Sequence, residues 1–147
     1  MARARRRAVR AGDGEIDSGH LLHALLETDE QVLGLVAPQP TQATRLMGYL
    51  AQRSIGFGRD WQQGEGERSD EGAGIPRQRF ALPPGLSDAA GAAVDRARVA
   101  ALLRDAVEAD PLDLLAELAS DPDSRAAKML KGAGAEPSAV VDRARQR

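Results

Sequence analysis

Cysteine is absent from this 147-residue chain. That excludes disulfides and thiolate metal ligands, and it makes a reducing compartment, the cytoplasm, the expected setting. Aromatic side chains are scarce, with one Trp, one Tyr and two Phe. The core must therefore be built from Leu, Ala and Val, a composition that favours helices over strands. No apolar run approaches the roughly 18 residues that a membrane-spanning helix needs, and no apolar stretch of the secretory kind follows the basic start. The formal net charge is only −2, so the chain as a whole has no pull toward nucleic acid or membrane. Lysine is also rare. Of 20 basic residues, all but Lys128 and Lys131 are arginine, the bias expected of a GC-rich bacterial genome.

What is present is a hydrophobic fraction of 42% beside 29% charged residues, ordinary for a folded domain. The length suits one domain, or two small units sharing a core. The charge is uneven. Arg3, Arg5, Arg6, Arg7 and Arg10 crowd the start with no acid among them. Such a run can contact phosphates or act as a targeting presequence; the plainer reading is a solvated first helix.

An internal repeat organises the rest. The segment SGHLLHALLETDEQVLGLVAPQPTQATRL and the segment LDLLAELASDPDSRAAKMLKGAGAEPSAVVDRA share one plan: a Leu-rich helix, an acidic turn, a short apolar helix, then a helix opened by proline. Leu21, Leu22 and Leu25 align with Leu114, Leu115 and Leu118, and Pro40-Thr41 with Pro137-Ser138. Asp17 or Ser18 is placed to cap the first Leu-rich helix, Asp121 or Asp123 the short helix that ends at Lys128 and Lys131, and Ser87 the Ala-rich helix LSDAAGAAVDRARVAALL. Gly132 and Gly134 are expected to stop the short helix, with Pro137 at the first position of the next. Along the Ala-rich helix, Ala90, Ala93, Val94, Ala97 and Ala101 recur at helical spacing; its counterpart, Ala2 to Ala11, is shorter. Energetics favour two units with a shared seam over two independent domains, because neither has enough large side chains to offset the entropy of ordering.

Residues 56–85 carry seven glycines and three prolines and show neither helical nor strand periodicity, so they read as a long connection. Phe57, Trp61 and Phe80 lie in it and Tyr49 just before it. These rings either pin the ends of the connection onto the helices or grip a peptide.

His20 and His23 stand one helical turn apart and raise the question of a metal or catalytic centre. Two histidines with no carboxylate or third histidine at ligand spacing make a poor metal site. A cluster of Asp17, Ser18 and His20 fails as a catalytic set on geometry, because adjacent cap residues point apart and no third group orients them. The default for His23 is a surface pair with Glu27, four residues on. Neither Gly-rich stretch, GEGERSDEGAG or KGAGAEPS, carries the Lys and Ser or Thr of a phosphate-binding loop. No nucleophile, base and oxyanion set can be assembled either, so the chain reads as a non-enzyme without a cofactor.

The duplicated pattern HLLHALLETDEQV and LLAELASDPDSRAAKMLKGAGAEP resembles the Clp N-terminal (Clp R) domain, the double four-helix repeat at the front of Hsp100 unfoldases such as ClpA, ClpC and ClpB. Ile16, His20, Leu21, Leu22, Ala24, Leu25 and Leu26 match the first copy of the family's repeat; Asp121 to Ala127, Leu130 and Gly134 match the second. The resemblance spans nearly the whole chain. It implies an all-α fold of two tandem four-helix repeats with a pseudo-twofold relation: repeat one over 1–55, a linker over 56–85, repeat two over 86–147. It makes His20 a structural position, alongside Leu21, Leu22, Leu25, Leu114, Leu115 and Leu118. Some family members hold phosphorylated arginine with a glutamate before that histidine in each repeat. The positions here are Gly19 and Leu112, with Asp113 in place of the second histidine, which implies that this mode is absent. The implied function is a stand-alone protein- or peptide-binding module. It would act as an adaptor, competitor or decoy in Clp-dependent proteolysis, with Tyr49, Phe57, Trp61 and Phe80 as candidate anchors and the unfoldase or its substrates as partners. The alternatives are a protein that sequesters cyclic peptides and, less favoured, a nucleic-acid binder using the Arg-rich start.

Overall fold

A computed structural model describes residues 1–55 and 85–146. Residues 56–84, with Phe57, Trp61 and Phe80, lie outside the described residues. The described chain is mostly helical: α1 (Ala2–Ala11), α2 (Ser18–Thr28), α3 (Glu30–Val36) and α4 (Pro40–Ile55), then α5 (Asp88–Leu103), α6 (Pro111–Ser120), α7 (Arg125–Gly132) and α8 (Pro137–Arg145). No described helix is long and apolar enough to cross a membrane.

Local chemistry sets most boundaries. Asp17 caps α2 by accepting a hydrogen bond from the His20 N–H, and the imidazole returns the favour by accepting from the Asp17 N–H, a closed capping box. Asp29 both ends α2 and starts α3, because its carboxylate accepts from the N–H groups of Gln31 and Val32 at 2.9 and 3.1 Å. Ser87 caps α5, and Pro137 opens α8. The cap of α7 is Ser124, not Asp121 or Asp123 as expected. The Asp121 carboxylate is used instead on the Asp123 N–H inside the turn, while the Ser124 hydroxyl also donates to the Leu118 carbonyl and so ties α7 to α6.

One hydrophobic cluster draws on both halves of the chain. Leu21, Leu22 and Leu26 of α2 share it with Leu112, Leu115 and Leu118 of α6, and with Met129, Leu130 and Val140. Each fully buried leucine contributes about 1.5–3 kcal/mol relative to exposure. Helix α6 sits centrally, packed by α5, α7 and α8 and met from the other half by α2 and α3. The expected Leu stripes are only partly buried: Leu25 and Leu114 remain half-exposed. They lie at the edge of the apolar arc, where a stripe of four leucines is wider than the core it faces.

A short element escaped the sequence. Strand β1 (Glu15–Ile16) pairs in parallel with β2 (Gly85–Leu86), Ile16 opposite Leu86, and the Ser87 N–H donates to the Ile16 carbonyl. Two residues are too few to show a strand period. The pairing fixes the start of α5 beside the start of α2.

Candidate functional site

Between the two halves lies an open groove of about 940 Å³. One wall is α1 and α2, with Leu21, Ala24 and Leu25; the other is α5 and the start of α6, with Val94, Ala97 and Leu114. Leu25 and Leu114, the two stripe leucines that the core buries only in part, both line it.

One stretch of the rim is apolar. Leu102 and Val107 line the groove, and Val107 is 95% exposed, with Leu103 beside them 81% exposed. Exposed aliphatic side chains are common singly, but here they gather on one turn beside a cleft. That turn is braced. Asp105 adopts a left-handed conformation (φ 59°) that lets the N–H groups of Asp105 and Ala106 reach back to Leu102 and Ala101. The Arg104 guanidinium then grips the Asp113 carboxylate, which also accepts from the Asp110 N–H in the capping box of α6. The hydrophobic rim is therefore held in place before any ligand arrives.

The histidines occupy a second, buried polar region. The side chains of Asp17 and His20 do not point apart, as adjacent cap residues were expected to do; they converge, with Asp17 Oδ1 3.2 Å from His20 Nδ1. His20 Nε2 lies 3.0 Å from Asp13 Oδ2, and Asp17 Oδ2 lies 3.0 Å from the Arg125 guanidinium. Carboxylates thus do stand at ligand distance from His20, contrary to the expectation from spacing, because the turn after α1 folds Asp13 back. Asp13, Asp17 and His20 each bring one ligand atom within 4.8 Å of the others. These atoms are engaged with one another, with the Asp17 backbone and with Arg125, so the cluster is accounted for as a structural network. Ser18 completes it. Its hydroxyl oxygen accepts from the Ala126 N–H, 108 positions away, so both halves cap the N-terminus of α7.

His23 is a correction of a different kind. It is 2% exposed, not a surface residue, with Nε2 3.7 Å from Glu27 Oε1. Burial, then the Arg7 guanidinium, lower its pKa from 6.5 to about 4 against an opposing pull from Glu27. The cause was invisible in the local sequence: α1 lies over this face, and Arg7 pairs with Glu27. Arg3 also leans toward Glu27, at 3.9 Å. Two of the five N-terminal arginines are thus directed at one acid of the chain itself, leaving Arg5, Arg6 and Arg10 exposed.

Of the four aromatic candidates, only Tyr49 falls in the described residues. It is half-buried on α4, with its hydroxyl so close over Gly132 of α7 that a methyl group there would collide with it. Tyr49 is not part of the groove wall. The resemblance offered no signal for Leu25, Leu102, Val107 and Leu114 as a binding surface; the excess leucines of the two stripes were the available hint. Gly19 and Leu112, the positions compared with glutamates, are both buried. A side chain at Gly19 would meet Met129 Sδ at 2.7 Å.

No family model and no curated protein matches this chain.

Proposed function

We propose that this chain is a non-catalytic peptide-binding module of the Clp N-terminal kind, built from two tandem four-helix repeats, and that the groove between the halves is its docking surface. The observation that carries the reading is the cleft itself: an apolar floor of Leu21, Leu25 and Leu114 with a braced rim of Leu102 and Val107. Apolar clefts that are formed in advance bind peptides without a large ordering cost on the protein side. The repeat reading draws support from matching local chemistry. Asp17 with His20 and Asp110 with Asp113 make the same capping box at the start of α2 and α6, although the second residue differs. In each half a Leu-rich helix, a short helix and a proline-opened helix follow in the same order.

Two experiments test it. Titration of a fluorescent apolar peptide should give saturable binding that Leu102→Asp with Val107→Asp abolishes while the fold survives; no binding, or binding unaffected by the pair, removes the groove as the site. Added to a Clp unfoldase and its peptidase degrading an unfolded substrate, the protein should change the rate in proportion to its concentration. An unchanged rate at saturation ends the connection to Clp-dependent proteolysis.

A further inference from the structure

The chemistry of the groove's edge says more about its occupant than the apolar floor does. Arg3 and Arg6 from α1 and Arg98 from α5 all border the cleft, one from each side of the seam at least, and all three are exposed. Their own partners hold them weakly. Arg3 lies 3.9 Å from Glu27, and Arg98 pairs with Asp95 in an arrangement where both side chains are more than two-thirds exposed. Arg6 has no ion pair among the described residues. Of the two acids on the border, Asp110 is committed to the α6 N-terminus, where its carboxylate accepts from the N–H groups of Leu112 and Asp113. Among the described residues that border the cleft, three guanidiniums therefore face two carboxylates, and only Glu108 of these is not tied to a helix end. The chain as a whole is acidic, at −2, so a basic border around this cleft is a local feature and not a reflection of composition.

We infer that the groove selects an apolar peptide segment bordered by aspartate or glutamate: the aliphatic side chains fill the cleft while the flanking carboxylates meet Arg3, Arg6 and Arg98. Guanidinium groups suit this task because each can present two parallel N–H donors to a carboxylate, and their stems extend the apolar surface toward the ligand. Arginines at a border affect selection and association rate more than total affinity, so the signature is a difference between ligands and not strong binding by itself. The inference rests on the reading of the groove as a peptide site.

The test uses three labelled synthetic peptides with one Leu- and Val-rich centre, flanked by glutamate, glutamine or lysine, titrated against the whole chain. The glutamate peptide should bind about tenfold more tightly than the lysine peptide, the size expected of a few solvent-exposed pairs. That advantage should shrink as salt rises, while the glutamine peptide is little affected. Arg6→Glu with Arg98→Glu, checked for an unchanged melting curve, should erase or invert the preference between the glutamate and lysine peptides. Equal binding of all three peptides, tighter binding of the lysine peptide, or a preference that survives the double charge reversal overturns the selectivity while leaving the groove in place. Failure of all three to bind overturns the peptide-groove reading itself.

Discussion

Residues 1–55 and 85–146 each supply four helices, but they are held in different ways. In the second half the chain is bound chiefly to itself. Helix α6 is wrapped by α5, α7 and α8, every helix from α5 to α7 has a side-chain cap, and Glu117 gathers Arg96 and Arg145 from the helices on either side. In the first half the opening helix α1 is shorter than α5, which opens the second; it has no side-chain cap and buries Ala4 and Ala8 where α5 buries four alanines. Its helix α2 leans as much on α7 and α6 of the other half as on its own neighbours. The lesson is that similar helix order does not imply equal independence. The second half is a nearly closed bundle, and the first is fastened to it through α2, the Ile16–Leu86 pairing and the Asp17–Arg125 ion pair. The groove is the part of the seam that this fastening leaves uncovered.

The largest effects that would sharpen this contrast come from the core. Leu22→Ala and Leu115→Ala, both at fully buried positions, should each cost about 2–5 kcal/mol in denaturant unfolding. Leu115 belongs at the upper end, because the crowded surroundings of α6 collapse less readily into a cavity. A smaller loss at Leu115 than at Leu22 would reverse the ranking of the two halves. Arg125→Ala should cost about 3 kcal/mol, since it removes the cation at Oδ2 of the buried Asp17 carboxylate; the double variant with Asp17→Asn should recover part of that loss if the pair is the fastening described.

Acid sensitivity should come next. His23 is neutral in the folded chain down to about pH 4, whereas the unfolded chain binds its proton near 6.5. A lowered histidine pKa makes acid favour unfolding. The contribution is complete above pH 6.5 and is lost as pH falls toward 4, amounting to up to about 3 kcal/mol. Stability measured against pH in His23→Gln should show a shallower fall over that window; parallel curves would mean that His23 is not buried beneath α1. The smallest effect belongs to the rim. Asp105→Gly should stabilise the chain by about 0.5 kcal/mol by relieving the left-handed conformation, and leave peptide affinity intact. A weaker affinity would show that the turn's stiffness is part of the site.

The helices were legible in the sequence because their signals are local. Leucine and alanine spacing, Asp17, Ser87 and Pro137 mark α2, α5 and α8 within a few residues of where they lie. What was not legible depends on residues far apart. The Asp17–Arg125 and Ser18–Ala126 contacts span more than a hundred positions, and the burial of His23 requires α1 to fold across it. Ser124 and not an aspartate caps α7 because the turn places it next to the first helical residue, where its hydroxyl also reaches the Leu118 carbonyl six residues back. The groove was foreshadowed only indirectly, in that the leucine stripes contain more leucines than one core face can cover. The aromatics, the more conspicuous candidates in the sequence, are not in its lining: Tyr49 lies over Gly132, and the other three fall outside the described residues.

The most direct measurement is an amide NMR map of the isotope-labelled chain titrated with the glutamate-flanked apolar peptide. Shifts should cluster on both walls at once, at Leu25, Ala97, Leu102, Val107 and Leu114, with α8 and the Tyr49–Gly132 contact unmoved. Shifts confined to one half, or centred on Tyr49 and Gly132, would contradict a binding groove at the seam.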